Sequence, residues 1–310
     1  MPPRASICSL LLLALPAFCP AASAKPAVAA KSTATADTAT SSQEIYKTVG
    51  DVKLTVDIDT PAGWKPGDKR PAIVFFFGGS WNTGSPQSMK SQAEYFAKRG
   101  MVCFRPDYRV RSRQNVTPDK CVEDAISAMR WVRANAARLG VDPARIVAAG
   151  ASAGAHVAAC TFFTTTINAP TDDKTVSPKP SAMVLYFPAL DLHGRYTASD
   201  PAPFDNMSAS VAKEISPLLL MKKDMPPTLV VAGTADSNYR NCKAFVDKGK
   251  KLGAPVEGFY AEGQPHAFLG RPGWFEKVMA RVDAFFVSMG YLAPAQESAT
   301  APVAPAKKRQ

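Results

Sequence analysis

Apolar and polar segments alternate along the chain in a pattern typical of α/β proteins. Short, continuously apolar runs predict strands buried on both faces, and amphipathic runs predict the helices between them. The first two predicted strands are expected to form an antiparallel pair. The predicted strands are Glu44–Val49, Val52–Asp57, Ala72–Phe77, Val102–Pro106, Ile146–Ala149, Met183–Phe187, Leu229–Ala232 and Val256–Tyr260. The predicted helices are Ser88–Arg99, Pro118–Leu139, Ala155–Phe163, Asn241–Leu252 and Phe275–Met289. The pattern predicts a mostly parallel sheet of about eight strands, covered by helices on both faces.

The two ends of the chain differ from its middle in composition. Arg4, the apolar stretch Ile7–Phe18 and the small residues at 22–24 predict a signal peptide over residues 1–24, and hence a periplasmic or secreted protein. That stretch is too short to cross a bilayer and no longer one follows, so we expect no integral membrane segment. Residues 25–42 and 293–310 predict a disordered linker and a disordered tail rich in Ala, Pro and Lys. Residues 43–292 are then one domain.

The net charge of +11 arises from scattered basic residues rather than from one stripe. The densest group, Arg105, Arg109, Arg111 and Arg113, predicts either a solvated loop or a surface that faces an anionic substrate. No nucleic-acid-binding module is recognisable, and aromatic residues do not interleave with a basic stripe. We therefore expect no nucleic-acid partner. The sequence leaves the oligomeric state open.

Four cysteines follow the predicted signal peptide: Cys103, Cys121, Cys160 and Cys242. An exported protein meets oxidant, so one or two disulfides are compatible with this count, and the sequence leaves their pairing open. Cys160 equally suits a small buried core position. No two of these cysteines have the spacing of metal ligands, and we expect neither a metal nor a cofactor.

The segment Gly150-Ala151-Ser152-Ala153-Gly154 lies between a predicted strand and a predicted helix. This is the Gly-x-Ser-x-Gly pattern in the strand, turn and helix context that makes it a nucleophile elbow. Small residues at both ends of the motif permit a tight turn from which Ser152 projects. The backbone N–H of Ala153, at the start of the helix, then faces the place where an oxyanion develops.

A nucleophilic serine needs a base to take its proton. Proteins with this elbow place an acid and then a histidine after the serine. His156 lies four residues after Ser152 and is expected to pack or to hydrogen-bond locally, and His193 occupies a less suitable loop. His266 follows the last predicted strand in a turn-rich loop, so we predict that His266 is the base.

The base needs a carboxylate to orient it. Asp236 follows the strand Leu229–Ala232 and is the predicted acid, whereas the alternative for this residue is to cap the next helix. Asp191 is the second candidate acid. The loop after the third strand contains Gly79 and Ser80, whose backbone N–H groups are predicted to complete the oxyanion hole with that of Ala153.

Together these motifs resemble the α/β-hydrolase superfamily, and within it the exported bacterial acetylxylan and feruloyl esterases (BD-FAE-like). A more distant resemblance is to the hormone-sensitive-lipase group. The resemblance covers residues 45–290. It rests on the elbow and on the segments Phe77-Gly78-Gly79-Ser80-Trp81, Arg105-Pro106-Asp107-Tyr108-Arg109, Ile215-Ser216-Pro217, Pro226-Pro227-Thr228-Leu229, Gly233-Thr234-Ala235-Asp236 and Gly263-x-x-His266-x-Phe268.

The resemblance implies an α/β-hydrolase fold and a serine carboxylesterase that removes short acyl groups, acetyl or feruloyl, from small or polymeric carbohydrate esters. Two residues depart from the family pattern: Phe77 stands where relatives have His, and Ser80 where they have Gly. Both bear on the oxyanion loop.

A prolyl-oligopeptidase-like serine peptidase is an alternative function, although such enzymes usually carry a large N-terminal gating domain. A non-catalytic binding protein on the same scaffold is another, and the Phe77 departure favours it.

Overall fold

A computed structural model describes residues 40–197 and 207–295, and these form an eight-stranded sheet with helices on both faces. The predicted signal peptide and nearly all of the predicted linker and tail lie outside the described residues. The strands are β1 Thr40–Val49, β2 Val52–Thr60, β3 Arg70–Phe76, β4 Val102–Pro106, β5 Val141–Ala151, β6 Ala182–Tyr186, β7 Thr228–Gly233 and β8 Val256–Ala261.

A 3₁₀ helix at Pro86–Met89 precedes α1. The helices are α1 Lys90–Lys98, α2 Arg111–Gln114, α3 Pro118–Ala134, α4 Ala153–Phe163, α5 Leu192–Thr197, α6 Ala209–Glu214, α7 Pro217–Leu220, α8 Tyr239–Leu252 and α9 Trp274–Ser288, with a second 3₁₀ turn at Phe268–Gly270. None of the described helices is long and apolar enough to cross a membrane.

The sheet has the strand order β1-β2-β4-β3-β5-β6-β7-β8, in which β2 pairs antiparallel with β1 and β4 and every later pair is parallel. The prediction of a mostly parallel sheet is confirmed. Strands β4, β6 and β7 are buried along their whole length, because helices cover both sheet faces. The carboxyl ends of β3, β5, β7 and β8 lie at one edge, which positions the loops that follow them together.

Most boundaries differ from the prediction by one to five residues, and two of these differences have a clear physical reason. β1 begins at Thr40, inside the predicted linker, because Thr40 to Ser42 pair through their backbones with β2 and such pairing requires no apolar side chains. α3 ends at Ala134 instead of Leu139. The side-chain amide of Asn135 donates to the Trp131 carbonyl at 2.9 Å, and turns continue to Gly140, whose φ is +63°.

Candidate active site

The elbow at Ser152 is a strained turn between β5 and α4. Ser152 has φ 55° and ψ −119°, a conformation that an L-residue adopts only when its surroundings fix it. A Cβ added to Gly150 would lie 2.5 Å from the Gly154 backbone, and one added to Gly154 would lie 2.1 Å from the Phe76 carbonyl oxygen. Only glycine fits at either position, so the two glycines permit the close approach of β3, β5 and α4.

Three side chains from separate loops form one hydrogen-bonded chain at the carboxyl edge of the sheet. His266 Nε2 lies 2.9 Å from Ser152 Oγ, and His266 Nδ1 lies 2.8 Å from Asp236 Oδ2. The carboxylate is fully shielded, whereas the imidazole is 38% exposed. With the proton on Nδ1 donated to Asp236, Nε2 is free to accept from the serine hydroxyl.

The loop that carries His266 packs directly against the end of β7, next to Asp236. A Cβ added to Gly233 would lie 2.1 Å from the Gln264 carbonyl oxygen, so this contact requires glycine. The Ala235 N–H donates to the same oxygen at 3.0 Å. The Asn238 N–H donates to Asp236 Oδ1 at 2.8 Å, which fixes the second carboxylate oxygen. These contacts hold the segment from Gly233 to Asp236, at the end of β7, against the loop that carries His266.

The other candidate acid and bases have different partners. Asp191 accepts the Gly194 N–H at 2.7 Å at the start of α5, and the backbone N–H of His193 donates to Ser216 Oγ. His156 is fully buried on α4. Its Nδ1 accepts from Trp81 Nε1 at 3.1 Å, and its Nε2 lies 2.7 Å from the Ile215 carbonyl oxygen. His156 thus packs away from the serine hydroxyl, but the hydrogen bonds of its ring are to residues 75 and 59 positions away rather than to local partners.

The predicted oxyanion donors Gly79 and Ser80 lie in the loop after β3. Gly79 has φ +128° and Ser80 has φ 54°, and the Gly79 carbonyl accepts the N–H groups of Asn82 and Thr83 in a tight turn. Among the described residues, the N–H groups of Gly79 and Ser80 donate to no backbone acceptor. The preceding Gly78 lies against the elbow, since an added Cβ would be 3.4 Å from that of Ser152. Ala153 begins α4, and its N–H is at the helix N-terminus.

Phe77, which departs from the family pattern of His at this position, is held in the loop by contacts of its own. The Phe77 ring stacks on Tyr108 with centroids 4.0 Å apart, and the Tyr108 hydroxyl donates to the Phe77 carbonyl at 2.6 Å. Burial raises the pKa of Tyr108 well above its ordinary value, so this hydroxyl stays protonated. The roles of Tyr108 and His156 in holding this loop were not predicted from the sequence, because their partners are 31 and 75 residues away.

A cavity of about 560 Å³ contains Ser152 and His266 in its wall, together with Gly79 and Ser80. Four large apolar side chains also line the cavity: Met89, Phe187, Leu269 and Phe275. The Phe187 ring contacts the imidazole edge to face, with centroids 5.0 Å apart. Within the described residues, no group of three or more His, Cys, Asp or Glu side chains is arranged to hold a metal ion.

Two of the four arginines, Arg105 and Arg109, are buried, whereas Arg111 is half-buried and Arg113 is exposed, so only part of the group is the solvated surface that the sequence predicted. Arg105 is 2% exposed and pairs with Asp59 and Asp57, because the β2–β4 pairing brings these side chains together. Arg109 is 8% exposed and pairs with Asp124 and Glu123 of α3. Both guanidinium groups therefore have a structural role.

All four described cysteines are buried and free, and none is in a disulfide. Cys160 lies 3.4 Å from His156 Nε2, in agreement with a core position. Burial raises the pKa of Cys160 to about 12, so its thiol is not a ready nucleophile.

The comparisons with known proteins agree with this geometry. The BD-FAE family model matches residues 56–247, which include the elbow and Asp236. The chain belongs to the BD-FAE family. Carboxylesterase NlhH of Mycobacterium tuberculosis is 30% identical over 199 residues, which are 61% of this chain and 59% of that protein. A probable isoprenylcysteine alpha-carbonyl methylesterase, ICMEL1 of Arabidopsis thaliana, is 26% identical over 64% of this chain and 46% of its own length. The chain thus spans about half the length of the curated relatives it matches.

Solved structures of Thermogutta terrifontis esterase 2 share the fold of this BD-FAE domain. Its apo form is 42% identical, with a TM-score of 0.78, and the match covers 82% of this chain and 96% of that one. That esterase has also been solved with propionate bound and phosphorylated by paraoxon. The resemblance to α/β-hydrolase esterases is therefore confirmed, and the chain is a member of an esterase family.

Proposed function

We propose that this protein is a serine carboxylesterase that acts through an acyl-enzyme. The observation that carries the proposal is the hydrogen-bonded chain from Ser152 through His266 to Asp236, of which Ser152 and His266 lie in the wall of a cavity. A serine hydroxyl is a weak nucleophile by itself, and an imidazole within hydrogen-bond distance is the group that activates it. The esterase names of the relatives support the same reaction class.

In the proposed reaction, Ser152 Oγ attacks the ester carbonyl carbon while its proton passes to His266 Nε2. The oxyanion of the tetrahedral intermediate accepts hydrogen bonds from the backbone N–H groups of Ala153, Gly79 and Ser80. Collapse breaks the bond to the alcohol oxygen, which takes the proton from His266 and leaves. Water then attacks the acyl-serine with His266 again as the base, and the acid is released. Asp236 holds the imidazole and stabilises its cation.

We infer that the natural substrates carry short acyl groups, acetyl above all, on a sugar or another hydroxylated alcohol. The cavity has a volume of only about 560 Å³, so part of a long acyl chain would extend out of it, and each methylene left in water forgoes about 0.8 kcal/mol of binding. Bound propionate in esterase 2 supports a small acyl site in that relative. The prediction is that kcat/KM for nitrophenyl esters falls as the acyl chain lengthens from acetate, and that acetylated xylan is cleaved. Rates rising steadily to palmitate would contradict the proposal.

The mechanistic part is tested by covalent labelling with paraoxon, which phosphorylates esterase 2. We expect one phosphoryl group per chain, located on the peptide containing Ser152 by mass spectrometry, and no label on Ser152→Ala. Absence of label from the folded wild-type protein would favour the non-catalytic alternative. Cleavage of proline-containing peptides with no ester turnover would favour the peptidase.

Export remains a proposal, tested by the N-terminal sequence of the mature protein, which we expect to begin at Lys25.

A further inference from the structure

One polar side chain in the catalytic cavity breaks the pattern of the helix that carries it. The buried face of α1 consists of Gln92, Ala93, Phe96 and Ala97. Helical periodicity calls for an apolar residue at each of these positions, and Gln92 is the exception although it is only 8% exposed. Such local violations concentrate at functional sites.

The amide oxygen of Gln92 lacks a hydrogen-bond partner. Gln92 Oε1 is shielded from solvent and accepts no hydrogen bond from any residue that the structure describes. A buried amide oxygen that has lost its bond to water is unfavourable, and native proteins rarely keep one without a reason. The Gln92 side chain lines the same cavity as Ser152 and His266. Its Oε1 is covered in this arrangement, so the amide must turn about its terminal torsion to meet a molecule bound in the cavity.

We propose that Gln92 binds a hydroxyl group on the alcohol part of the ester, and so selects hydroxylated substrates over alkyl esters. A hydroxyl both donates and accepts, and the terminal amide torsion is broad and roughly two-fold, so either end of the amide has a matching partner. The inference rests on the proposed function: an acetyl group has no polar atom except its carbonyl oxygen, which the oxyanion donors take. The hydroxyl therefore belongs to the alcohol.

The test uses two acetates with the same acyl group and the same three-carbon alcohol skeleton, glycerol 1-acetate and propyl acetate. The variant is Gln92→Met, which keeps the length of the side chain and removes both polar atoms. Its matched control is Glu94→Met, which introduces the same side chain on the exposed side of α1, where Glu94 faces Lys90. The quantity measured is the ratio of kcat/KM for glycerol 1-acetate to that for propyl acetate.

We expect the wild-type protein and Glu94→Met to prefer glycerol 1-acetate. Gln92→Met is expected to lower the ratio about fivefold to tenfold, the amount that one neutral hydrogen bond supplies, while kcat/KM for propyl acetate is kept. Because the contact exists before and during the reaction, the change is expected in KM. A ratio that is the same in wild type and Gln92→Met would overturn the assignment and leave the esterase proposal intact. Hydrolysis of neither acetate by the wild-type protein would overturn both.

Discussion

The indole Nε1 of Trp81 donates a hydrogen bond of 3.1 Å to Nδ1 of His156, and this bond joins the oxyanion loop to the helix that follows Ser152. Trp81 has a left-handed φ of 57°, so the loop is held in a conformation that its own residues do not favour. The opposite ring nitrogen of His156 bonds the Ile215 carbonyl at 2.7 Å. The His156 side chain thus fixes three segments relative to one another, while the His156 backbone N–H donates to the Ser152 carbonyl at 3.1 Å.

We expect His156→Leu to lower kcat roughly 10- to 100-fold with little change in KM, because a displaced loop stabilises the oxyanion less well. His156→Gln retains one acceptor and one donor and is expected to recover part of the loss. The kinetics are normalised to the folded fraction, since His156→Leu also leaves buried polar groups unpaired. His193→Ala is the matched control. Equal kcat in His156→Leu and wild type would contradict a positioning role.

Asp236→Asn is expected to lower turnover by about 10⁴-fold, because an amide no longer fixes the tautomer in which His266 accepts the serine proton. Asp191→Asn keeps a side-chain oxygen that can accept the Gly194 N–H, and it is expected to keep turnover near that of the wild type. Steady-state kinetics of both variants with nitrophenyl acetate, with folding checked by circular dichroism, decide between the two carboxylates. A larger loss in Asp191→Asn would reverse the assignment.

The buried ion cluster of Lys47, Glu123, Asp124 and Arg109 predicts a pH-dependent stability. Burial raises the pKa of Glu123, but Lys47 and Lys120 outweigh it and bring the pKa below its ordinary value of 4.5. A carboxyl whose pKa is lower in the folded state stabilises the fold fully above about pH 4.5, and this stabilisation is lost as the pH falls through the folded-state pKa.

Glu123→Gln is therefore expected to reduce the free energy of unfolding by about 1–3 kcal/mol near neutral pH, and by less near pH 3. Urea denaturation at both pH values measures the difference. Glu94→Gln alters a carboxylate that is about half exposed and is expected to change stability by less than about 0.5 kcal/mol at either pH. A deficit in Glu123→Gln that grows on acidification would contradict this account.

The strands were predictable because burial on both faces requires continuous apolar runs such as Ile73 to Phe76 and Leu229 to Ala232. Pro118 marked the start of α3 for a local reason, its suitability for the first turn of a helix. The short helices α5, α6 and α7 were not predicted, since four to six residues do not complete a recognisable period.

Long-range pairing accounts for the features that the sequence did not show. Arg105 looked exposed because its partner Asp59 lies 46 residues earlier, and only the β2–β4 register brings them together. The Trp81–His156 and Tyr108–Phe77 contacts are hidden for the same reason. The elbow was recognisable because its requirement is local: Gly150 and Gly154 pack against each other and against Phe76. The roles of Ser152, Asp236 and His266 in turnover remain predictions from motif and geometry.

The most direct measurement of the central claim compares Ser152→Ala, His266→Ala and the double variant in hydrolysis of nitrophenyl acetate. Ser152 Oγ and His266 Nε2 are 2.9 Å apart, and we predict that they act as one unit. Each single variant is then expected to lose turnover by about 10⁴-fold or more, and the double variant to be little worse than either. Losses that multiply in the double variant, or a fully active and folded Ser152→Ala protein, would contradict the assignment of Ser152 as the nucleophile.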